Sequence, residues 1–278
     1  MPEGPETRRM VDSIGHALVG KKIESVQFFH NNLQNLSLDD FSQVLNVHSR
    51  GKAVVCQLDN GQSIITHNQL YGKWTVNLRK TIPKTGRALR IQMNTKTYSV
   101  RLWSATDIML YDTKDENLHP YIKKLGPDVL MQTTTKELIL NRLIHKRFRN
   151  RMLAGLLLNQ GFIAGLGNYL RSEILFFSGI MYYKKPKELT EPKLELLADS
   201  IKRISMRAYY QKGNTLDKKY LLSQYGNQTN FHRLRHMVFN RVGQPCIICG
   251  GLIKRDRVGK RRIDFCMNCQ EPIDSEGV

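Results

Sequence analysis

The chain has 278 residues, more than one typical domain of roughly 100–200 residues, and this length predicts two domains with a small appendage. Hydrophobic residues make up 41% and charged residues 24%, which excludes disordered and collagen-like chains. The formal net charge is +19 and is concentrated in residues 131–270, which hold 26 basic and 9 acidic side chains. Such a field attracts nucleic acid or an anionic membrane surface.

The sequence favours nucleic acid over a membrane. No apolar run approaches the roughly 18 residues of a spanning helix, and the start, MPEGPETRR, lacks the apolar segment of a secretion signal. An odd count of five cysteines argues against a disulfide framework and for a reducing compartment. We therefore expect a protein that binds nucleic acid inside the cell and does not bind membranes.

The first 130 residues predict a β domain behind one helix. Apolar residues recur at helical spacing from Pro5 to Leu18, and Gly20 follows as a stop. To about residue 112 there follow short β-rich runs, with Asp59, Asn60 and Gly61 as a hairpin turn. These runs are VQFF, AVVCQL, QSIIT, YGKWTV, ALRIQM, TYSVRLW and IMLY. Seven or so strands without intervening helices predict a two-sheet sandwich or a barrel.

Beyond residue 130 the period becomes helical. Thr134 and Glu137 predict a capping box at the start of a helix, and further helices are expected to begin near Asn168 and Thr190. Residues 213–230 lack a clear period and predict a long loop, which in a compact domain is usually functional or mobile. Cys56, inside AVVCQL, is expected to be a buried core thiol.

Four of the cysteines carry the strongest local signal. Cys246 and Cys249 form one CxxC knuckle, and Cys266 and Cys269 form a second after 16 residues. Two knuckles on the arms of a hairpin bring four thiolates to one tetrahedral centre, as Zn²⁺ requires, and this interpretation is favoured over paired disulfides or free thiols. With four protein ligands no position is left for water, so the predicted single ion is structural.

Two further segments suggest phosphate contacts. Residues 254–262 carry six basic side chains in nine residues between the knuckles, either a solvated charge run or, as we favour, a rigid phosphate-binding loop. Three glycines between Gly161 and Asn168 allow close backbone approach, and the following helix N-terminus offers unpaired N–H groups to an anion. Helix connections also use glycine for steric reasons alone.

The N-terminus suggests a nucleophile. Met1 precedes Pro2. The initiator methionine is ordinarily removed when the second residue is small, and its removal exposes the secondary amine of Pro2. An α-amine with a pKa of roughly 7.7–8.0 is partly unprotonated near neutrality. Glu3 and Glu6 follow it. On these residues alone, a frayed start with incidental acids is the more common interpretation.

Six motifs in order resemble the formamidopyrimidine-DNA glycosylase and endonuclease VIII family, from residue 2 to about 270. The resemblance is closer to the endonuclease VIII branch, which acts on oxidised pyrimidines. The motifs are Pro2-Glu3-Gly4-Pro5-Glu6, Arg50-Gly51-Lys52, His67-Asn68-Gln69-Leu70-Tyr71-Gly72, Phe148-Arg149-Asn150-Arg151, Gly165-Leu166-Gly167-Asn168-Tyr169-Leu170-Arg171 and the terminal cysteine knuckles.

The resemblance implies an α+β multidomain monomer that binds damaged DNA, duplex or single-stranded. It implies a β-sandwich catalytic domain at 1–130, a helix-two-turn-helix domain at 131–240, a zinc finger at 241–270 and a tail at 271–278. The implied activity is base excision by a DNA glycosylase that is also an abasic-site lyase.

The resemblance also implies roles for individual residues. Pro2 would be the nucleophile, Glu3 the general acid and base, and Lys52 a phosphate and sugar contact. Around the extruded nucleotide it implies Asn168, Arg171 and Arg261 as DNA-binding groups, with Arg262 in place of Arg261 if the alignment is shifted by one. Gln69, Leu70 and Tyr71 would fill the space left in the duplex, although without the resemblance Leu70 and Tyr71 would be ordinary strand residues.

Two other functions remain open on the sequence. A non-enzymatic zinc-ribbon protein that binds nucleic acid would have the same charge, finger and glycine turn. A lyase that acts only on abasic sites would keep Pro2, Glu3 and Lys52 without base excision.

Overall fold

The computed structural model describes residues 2–217 and 234–270, together with Lys219 and Ser223. Contacts divide the chain into two units, Met1–Leu125 and Gly126–Val278. The domain boundaries expected at residues 130 and 240 stay predictions. Most of the loop predicted at 213–230 and the whole tail at 271–278 lie outside the described residues.

The first unit consists of one helix and two antiparallel four-stranded sheets. Helix α1 spans Gly4–Leu18. The strands are β1 (Ser25–Phe28), β2 (Val44–Arg50), β3 (Ala53–Leu58), β4 (Gln62–His67), β5 (Lys73–Leu78), β6 (Leu89–Asn94), β7 (Tyr98–Trp103) and β8 (Asp107–Asp112). The strand orders are β1-β6-β7-β5 and β2-β3-β4-β8. The predicted helix and two-sheet sandwich are confirmed, and β2 is an additional strand.

The core of this unit lies between the two sheets and α1. Alternation places Val100 and Leu102 of β7 in the core, where they join Ile14 of the helix. Strand β3 is buried on both faces, because Val54 and Cys56 enter this core while Val55 packs in a second cluster with Ile65. Complete burial raises the pKa of the Cys56 thiol to about 12, and Cys56 is thus the expected core thiol.

The connection from β5 to β6 crosses a neighbouring strand. Both strands pair antiparallel with β7 and therefore run parallel to each other. Leu78 lies beside Tyr98 at one end of β7, and Leu89 lies beside Trp103 at the other, so residues 79–88 must travel back along β7. We call these residues the crossover. The guanidinium of the buried Arg101, on the face of β7 opposite the core, donates to the Thr81 carbonyl (3.1 Å) and fastens the crossover there.

The second unit is mainly helical and ends in a β-hairpin. Its elements are α2 (Lys136–Ile144), α3 (Leu153–Leu156), α4 (Asn168–Phe177), α5 (Glu191–Tyr210), β9 (Lys254–Val258), β10 (Arg261–Phe265) and α6 (Met267–Gln270). Helices begin at Asn168 and directly after Thr190, as predicted. None of the helices in the described ranges has the length and apolarity needed to cross a membrane.

The start of α2 differs by one residue from the prediction. The hydroxyl of Thr135, not Thr134, accepts the hydrogen bond from the Leu138 N–H (3.2 Å) and caps the helix. Thr134 is buried and donates its hydroxyl to the Asp128 carbonyl (2.6 Å). Two adjacent threonines offer the same capping chemistry, and this tertiary contact of Thr134 selects the second.

Candidate active site and nucleic-acid interface

Helix α1 begins directly behind Pro2, with Glu3 as its N-cap. The Glu3 backbone N–H donates to the Glu6 carboxylate (3.2 Å), and the Glu3 carboxylate faces the Glu6 N–H in the other half of a capping box. Glu3 is only 6% exposed, and Pro2 is half-buried. Because the unpaired N–H groups of a first turn favour negative charge, the helix stabilises a buried carboxylate one residue from the Pro2 nitrogen.

Lys52 lies in the tight turn between β2 and β3. Gly51 supplies the left-handed conformation (φ 61°) that the turn requires. The Lys52 backbone N–H donates to the hydroxyl of Tyr121 (3.0 Å), and the ring of Tyr121 lies 4.7 Å from the ring of His67. Tyr121, which lies 69 positions after Lys52 in the chain, therefore holds this turn in place.

Burial and two neighbouring charges act on the pKa of His67. Burial lowers the pKa of His67; the Asp107 carboxylate opposes this shift, while the positive charge of Lys52 adds to it. His67 is accordingly neutral near pH 7. Its Nδ1 atom accepts the Gln69 N–H (3.1 Å), which leaves the ring proton on Nε2.

The turn after β4, residues 68–72, has a fixed backbone and exposed side chains. Gln69 adopts a left-handed conformation (φ 44°), and the Gly72 N–H donates to the Asn68 carbonyl (2.7 Å). A Cβ on Gly72 would lie 2.7 Å from the Asn68 Cα, so only glycine fits. Leu70 is 66% and Tyr71 70% exposed. They are therefore loop residues, not the strand residues that their types alone suggest.

Contacts from three directions hold the 68–72 turn in place. The Gln69 side chain amide donates to Asp107 (3.4 Å). The Asn68 amide donates to the Met10 sulfur of α1 (3.7 Å), and Arg87 of the crossover donates to the Tyr71 carbonyl. The structure thus brings Lys52 and the Gln69-Leu70-Tyr71 segment together through His67, and joins that segment to α1.

In the second unit, Asn168 stands at the first position of α4. Its Oδ1 atom accepts a hydrogen bond from Arg171 (2.8 Å). Because a guanidinium has only donors, this contact fixes the orientation of the amide and turns its NH₂ group away from Arg171. Arg142 donates to the carbonyls of Gly161 and Phe162 (2.6 and 2.7 Å) and so braces the preceding turn.

Arg171 is fully buried. Its guanidinium donates to the Ala154 carbonyl (2.8 Å) and the Arg262 carbonyl (2.6 Å) in addition to Asn168. Arg262 lies in the hairpin, 91 positions along the chain. This environment leaves no surface of Arg171 for a ligand, so the residue connects the glycine turn to the hairpin instead of presenting its charge.

The four cysteines of the knuckles lie at the end of the second unit. Their Sγ atoms all lie within 4.8 Å of one another, with Cys246 and Cys269 at 3.8 Å and Cys249 and Cys266 at 3.4 Å. A tetrahedral Zn²⁺ with Zn–S bonds of about 2.3 Å places its sulfurs roughly 3.8 Å apart. The donor set and its spacing therefore fit a four-coordinate thiophilic metal ion.

Strands β9 and β10 form the hairpin between the knuckles, as the spacing predicts. Arg255 forms a bidentate ion pair with the buried Asp264 (2.5 and 3.0 Å) and serves the hairpin itself. Arg261 is exposed and makes no ion pair with any other described residue. The Arg262 guanidinium lies 5.1 Å from the centre of the Phe239 ring, a cation–π contact.

Several residues around these sites escaped the sequence interpretation. Tyr121, Asp107 and Arg87 belong to no recognised motif, and each contacts the site from a distant part of the chain. His67 stands at the edge of a motif but received no role of its own. For His67, the one signal in the sequence was its position at the start of the segment that contains Gln69 and Leu70.

Comparison with family models gives two matches. Residues 1–114 match the formamidopyrimidine-DNA glycosylase N-terminal domain, and residues 125–219 match the formamidopyrimidine-DNA glycosylase H2TH domain. Together the matches cover most of the chain. The chain belongs to the formamidopyrimidine-DNA glycosylase family. This is a family of DNA repair glycosylases, and the predicted membership is confirmed.

Sequence matches to relatives within the family cover nearly the whole chain. An Endonuclease 8 of Escherichia coli O6:K15:H31 is 38% identical over 271 residues, which are 97% of this chain and 100% of the relative. An Endonuclease 8 of Salmonella arizonae is 38% identical over 272 residues, or 98% of this chain and 100% of the relative.

Solved structures of the family share the fold. Lactococcus lactis Fpg (MutM), in a complex with DNA containing an oxidised pyrimidine, matches with a TM-score of 0.78 at 22% identity, over 97% of this chain and 100% of that one. MutM in complex with DNA containing carbocyclic 8-oxo-G matches with a TM-score of 0.77 at 22% identity, with the same coverage. The helix, two sheets, H2TH helices and terminal cysteine cluster are thus the family's fold.

Proposed function

We propose that this member of the family is a bifunctional DNA glycosylase and abasic-site lyase that removes oxidised bases, with pyrimidines favoured. The observation that carries the proposal is the position of Pro2, directly before a buried carboxylate at the N-terminus of α1. The relatives named Endonuclease 8 support the pyrimidine preference, because they are more similar in sequence than the Fpg structures. The enzyme acts as a monomer inside the cell, on duplex or single-stranded damaged DNA.

The reaction begins when the Pro2 amine, freed by removal of Met1, attacks C1′ of the damaged nucleotide. The C1′–N bond to the base breaks, and the base leaves with that electron pair and the amine proton. The C1′–O4′ bond then breaks with its electron pair going to O4′, which takes a proton from Glu3, and the sugar ring opens to an iminium ion between Pro2 and C1′. This iminium ion has no N–H to lose and stays cationic, which acidifies C2′. Loss of the C2′ proton expels the 3′ phosphate by β-elimination, and a second elimination expels the 5′ phosphate.

Glu3 and Lys52 assist at the sugar. Glu3 transfers protons as general acid and base, a role that suits a buried carboxyl whose environment is fixed by the capping box. Lys52 holds the flanking phosphate and assists at the sugar oxygen. The contact of its backbone with Tyr121 fixes the turn that presents it.

Asn168 and Arg261 hold phosphates on either side of the extruded nucleotide, and Arg262 is the alternative to Arg261. The amide NH₂ group of Asn168 is oriented to donate, because Arg171 occupies its Oδ1 atom. Arg171 therefore acts by positioning Asn168 and the hairpin. Gln69, Leu70 and Tyr71 enter the duplex in place of the flipped base, which offsets an unstacking cost of a few kcal/mol per step.

One structural Zn²⁺ is held by Cys246, Cys249, Cys266 and Cys269. Their sulfur spacing suits tetrahedral coordination without a position for water. When bound, the ion supplies folding energy to the hairpin and takes no part in the reaction.

We also propose that the chain is divided into domains at residues 1–130, 131–240 and 241–270, as the sequence predicts.

Borohydride trapping tests this function. A Schiff base between Pro2 and the sugar is reduced to a stable adduct, so we expect covalent trapping on DNA that contains an oxidised pyrimidine, with the mass added at the N-terminal residue. The matched control is the same chain with Met1 retained, in which the Pro2 nitrogen lies in a peptide bond and is no longer an amine. It is expected to give no adduct at Pro2.

The result separates the competing functions. Absence of trapping on abasic DNA as well as lesion DNA would leave a nucleic-acid-binding zinc protein. Trapping on abasic DNA alone would leave a lyase without base excision. An adduct on a lysine in place of Pro2 would overturn the assignment of the nucleophile while preserving the reaction class.

A further inference from the structure

The crossover between β5 and β6 is strongly basic. Residues 79–88 include four basic side chains, Arg79, Lys80, Lys84 and Arg87, and no acidic one. The first unit as a whole has a far weaker excess of positive charge than the second. A local concentration of one charge in an otherwise balanced unit is the electrostatic footprint of a polyanion contact.

Two of these charges are available to a ligand. Arg79 forms a surface ion pair with Glu24 (3.4 Å) and donates to the Thr95 carbonyl (2.8 Å), so its charge is partly used within the unit. Lys80 and Lys84 are exposed, and neither forms an ion pair with another residue in the described ranges. Desolvation at these two positions would therefore not break an existing interaction.

The middle of the crossover also presents an apolar side chain. Ile82 is 84% exposed, and it stands between Lys80 and Lys84 in the sequence. A single exposed apolar residue is common on protein surfaces, and a branched side chain at this position also suits packing against deoxyribose or a base edge. The alternation of cation, apolar group and cation suits a nucleic-acid backbone.

The crossover is continuous with the 68–72 turn. Arg87 donates to the Tyr71 carbonyl, and Leu89, which follows the crossover, pairs with Trp103, the residue that also pairs with Lys73 just after that turn. The crossover is fastened to the sheet at both ends, through Thr81 to Arg101 and through the Ala88 carbonyl to the Ser104 N–H (2.7 Å). Arg87 is thus held beside Tyr71, whereas Lys80 lies farther along β7, next to Thr81 and its contact with Arg101.

We propose that the crossover is a second DNA-binding element of the first unit, in which Lys80 and Lys84 contact phosphates farther along the strand from the lesion and Ile82 packs on the adjoining sugar or base edge. The proposal rests on the proposed function, because it takes the Gln69-Leu70-Tyr71 segment as the part of this unit that enters DNA. The crossover extends that contact along the strand and takes no part in the chemistry.

The salt dependence of binding tests the crossover. The probe is a duplex that carries a reduced abasic site, which binds without turnover. Each lost phosphate contact lowers the slope of log K against log salt by about 0.9, so K80A/K84A is expected to lower the slope by about 2. I82S is expected to weaken binding with an unchanged slope, since it removes no charge.

The matched control is K22A/K114A. It removes the same charge from exposed lysines of the same unit; Lys114 follows β8 of the other sheet, at the end of β8 away from His67. We expect a slope close to that of the unchanged protein. An equal fall in both double variants would show a general field in place of a specific contact and would overturn the proposal, as would an unchanged slope in K80A/K84A.

A second readout separates this proposal from the function on which it rests. At saturating DNA, borohydride trapping by K80A/K84A is expected to equal that of the unchanged protein, since the lysines act in binding alone. Reduced trapping at saturation would place them in the chemistry and overturn the inference. Failure of the unchanged protein to trap on any DNA would instead overturn the proposed function, and the crossover with it.

Discussion

The hydroxyl group of Tyr121 accepts a hydrogen bond of 3.0 Å from the backbone N–H of Lys52. The bond holds the turn that carries a proposed catalytic lysine, and the same tyrosine ring contacts His67 at the base of the 68–72 turn. A positioning residue of this kind changes the rate of a reaction without touching the substrate.

Tyr121→Phe is expected to lower kcat for base removal roughly three- to tenfold, the effect of one neutral hydrogen bond of about 0.5–1.5 kcal/mol. The KM and the Tm are expected to change little, because the ring stays in place. Single-turnover kinetics on lesion DNA measures this. Tyr111→Phe is the matched control, since among the described residues the Tyr111 hydroxyl has a hydrogen bond to the Met109 sulfur alone, at 3.9 Å; an equal loss in both variants would contradict a specific role of Tyr121.

Asn168→Asp separates positioning from phosphate binding. The aspartate keeps the oxygen that accepts from Arg171, but it replaces the NH₂ donor with a charge that repels phosphate. We expect binding of an abasic duplex to weaken at least about tenfold, the scale of a charge-assisted hydrogen bond, with an unchanged Tm. Asn159→Asp is the control, because Asn159 uses its own oxygen to accept the Gly161 N–H (2.9 Å). Similar losses in both variants would show a field effect only.

Glu173 provides a test of stability in the second unit. Its fully buried carboxylate accepts the Thr215 hydroxyl (2.6 Å) and the N–H groups of Met237, Val238 and Phe239 (2.7, 2.9 and 2.9 Å). Glu173→Gln turns a donor towards these donors, and we expect a loss of about 2–4 kcal/mol in the free energy of unfolding.

Urea unfolding measures the effect of Glu173→Gln. The control is Glu195→Gln, at a half-exposed carboxylate paired with Lys136 (3.1 Å), where a change within about 0.5 kcal/mol is expected. Equal stability of the two variants would contradict the prediction, because it would mean that water replaces the lost hydrogen bonds in Glu173→Gln.

Three histidines of the first unit make its stability depend on pH. Burial is the main cause that lowers the pKa of His48, His67 and His119 below 6.5. At a pH between the lowered pKa and 6.5, each histidine binds more protons in the unfolded chain than in the folded one. Its contribution to stability is therefore complete above pH 6.5 and is lost as the pH falls below 6.5, by up to about 1.4 kcal/mol per pH unit. Urea midpoints at pH 7.5, 6.5 and 5.5 measure this, and His48→Gln is expected to reduce the slope. A midpoint that rises on acidification would contradict the prediction.

Removal of the proposed Zn²⁺ is expected to unfold the hairpin and abolish DNA binding, while the first unit stays folded. Because Arg171 contacts the Arg262 carbonyl, loss of the hairpin also removes one support of Asn168. Metal content and hydrogen exchange of residues 244–270 measure this with and without chelator. Cys56→Ala is expected to keep one ion per chain and Cys249→Ser to lose it; full activity after complete metal removal would show that the finger is dispensable.

The sequence predicts the fold well where patterns are local. The hairpin turn at Gly61 and the cysteine knuckles were readable from short windows, whereas β2 was not. Only Val44 and Val47 of β2 are buried apolar residues, and a register shift between Val44 and Asn46 interrupts the alternation of its side chains.

The candidate residues could be named from the sequence where they lie in motifs, and their roles stay predictions. Pro2, Lys52 and Asn168 lie in short recognisable segments, but the residues that hold them do not. Tyr121 reaches Lys52 across 69 positions, and Arg171 reaches Arg262 across 91. A residue that acts by long-range hydrogen bonding has no local pattern, and Arg171 in particular looks like a ligand-binding arginine until its burial is known.

The closed turn at residues 68–72 has a consequence for the energetics of base extrusion. Gln69 already adopts the left-handed conformation, and Gly72 already approaches the Asn68 backbone. The entropy of ordering these residues is therefore lost when the chain folds, and none of it is subtracted from the affinity for a damaged duplex. For the proposed insertion of Leu70 and Tyr71, the backbone of this turn would then need no rearrangement.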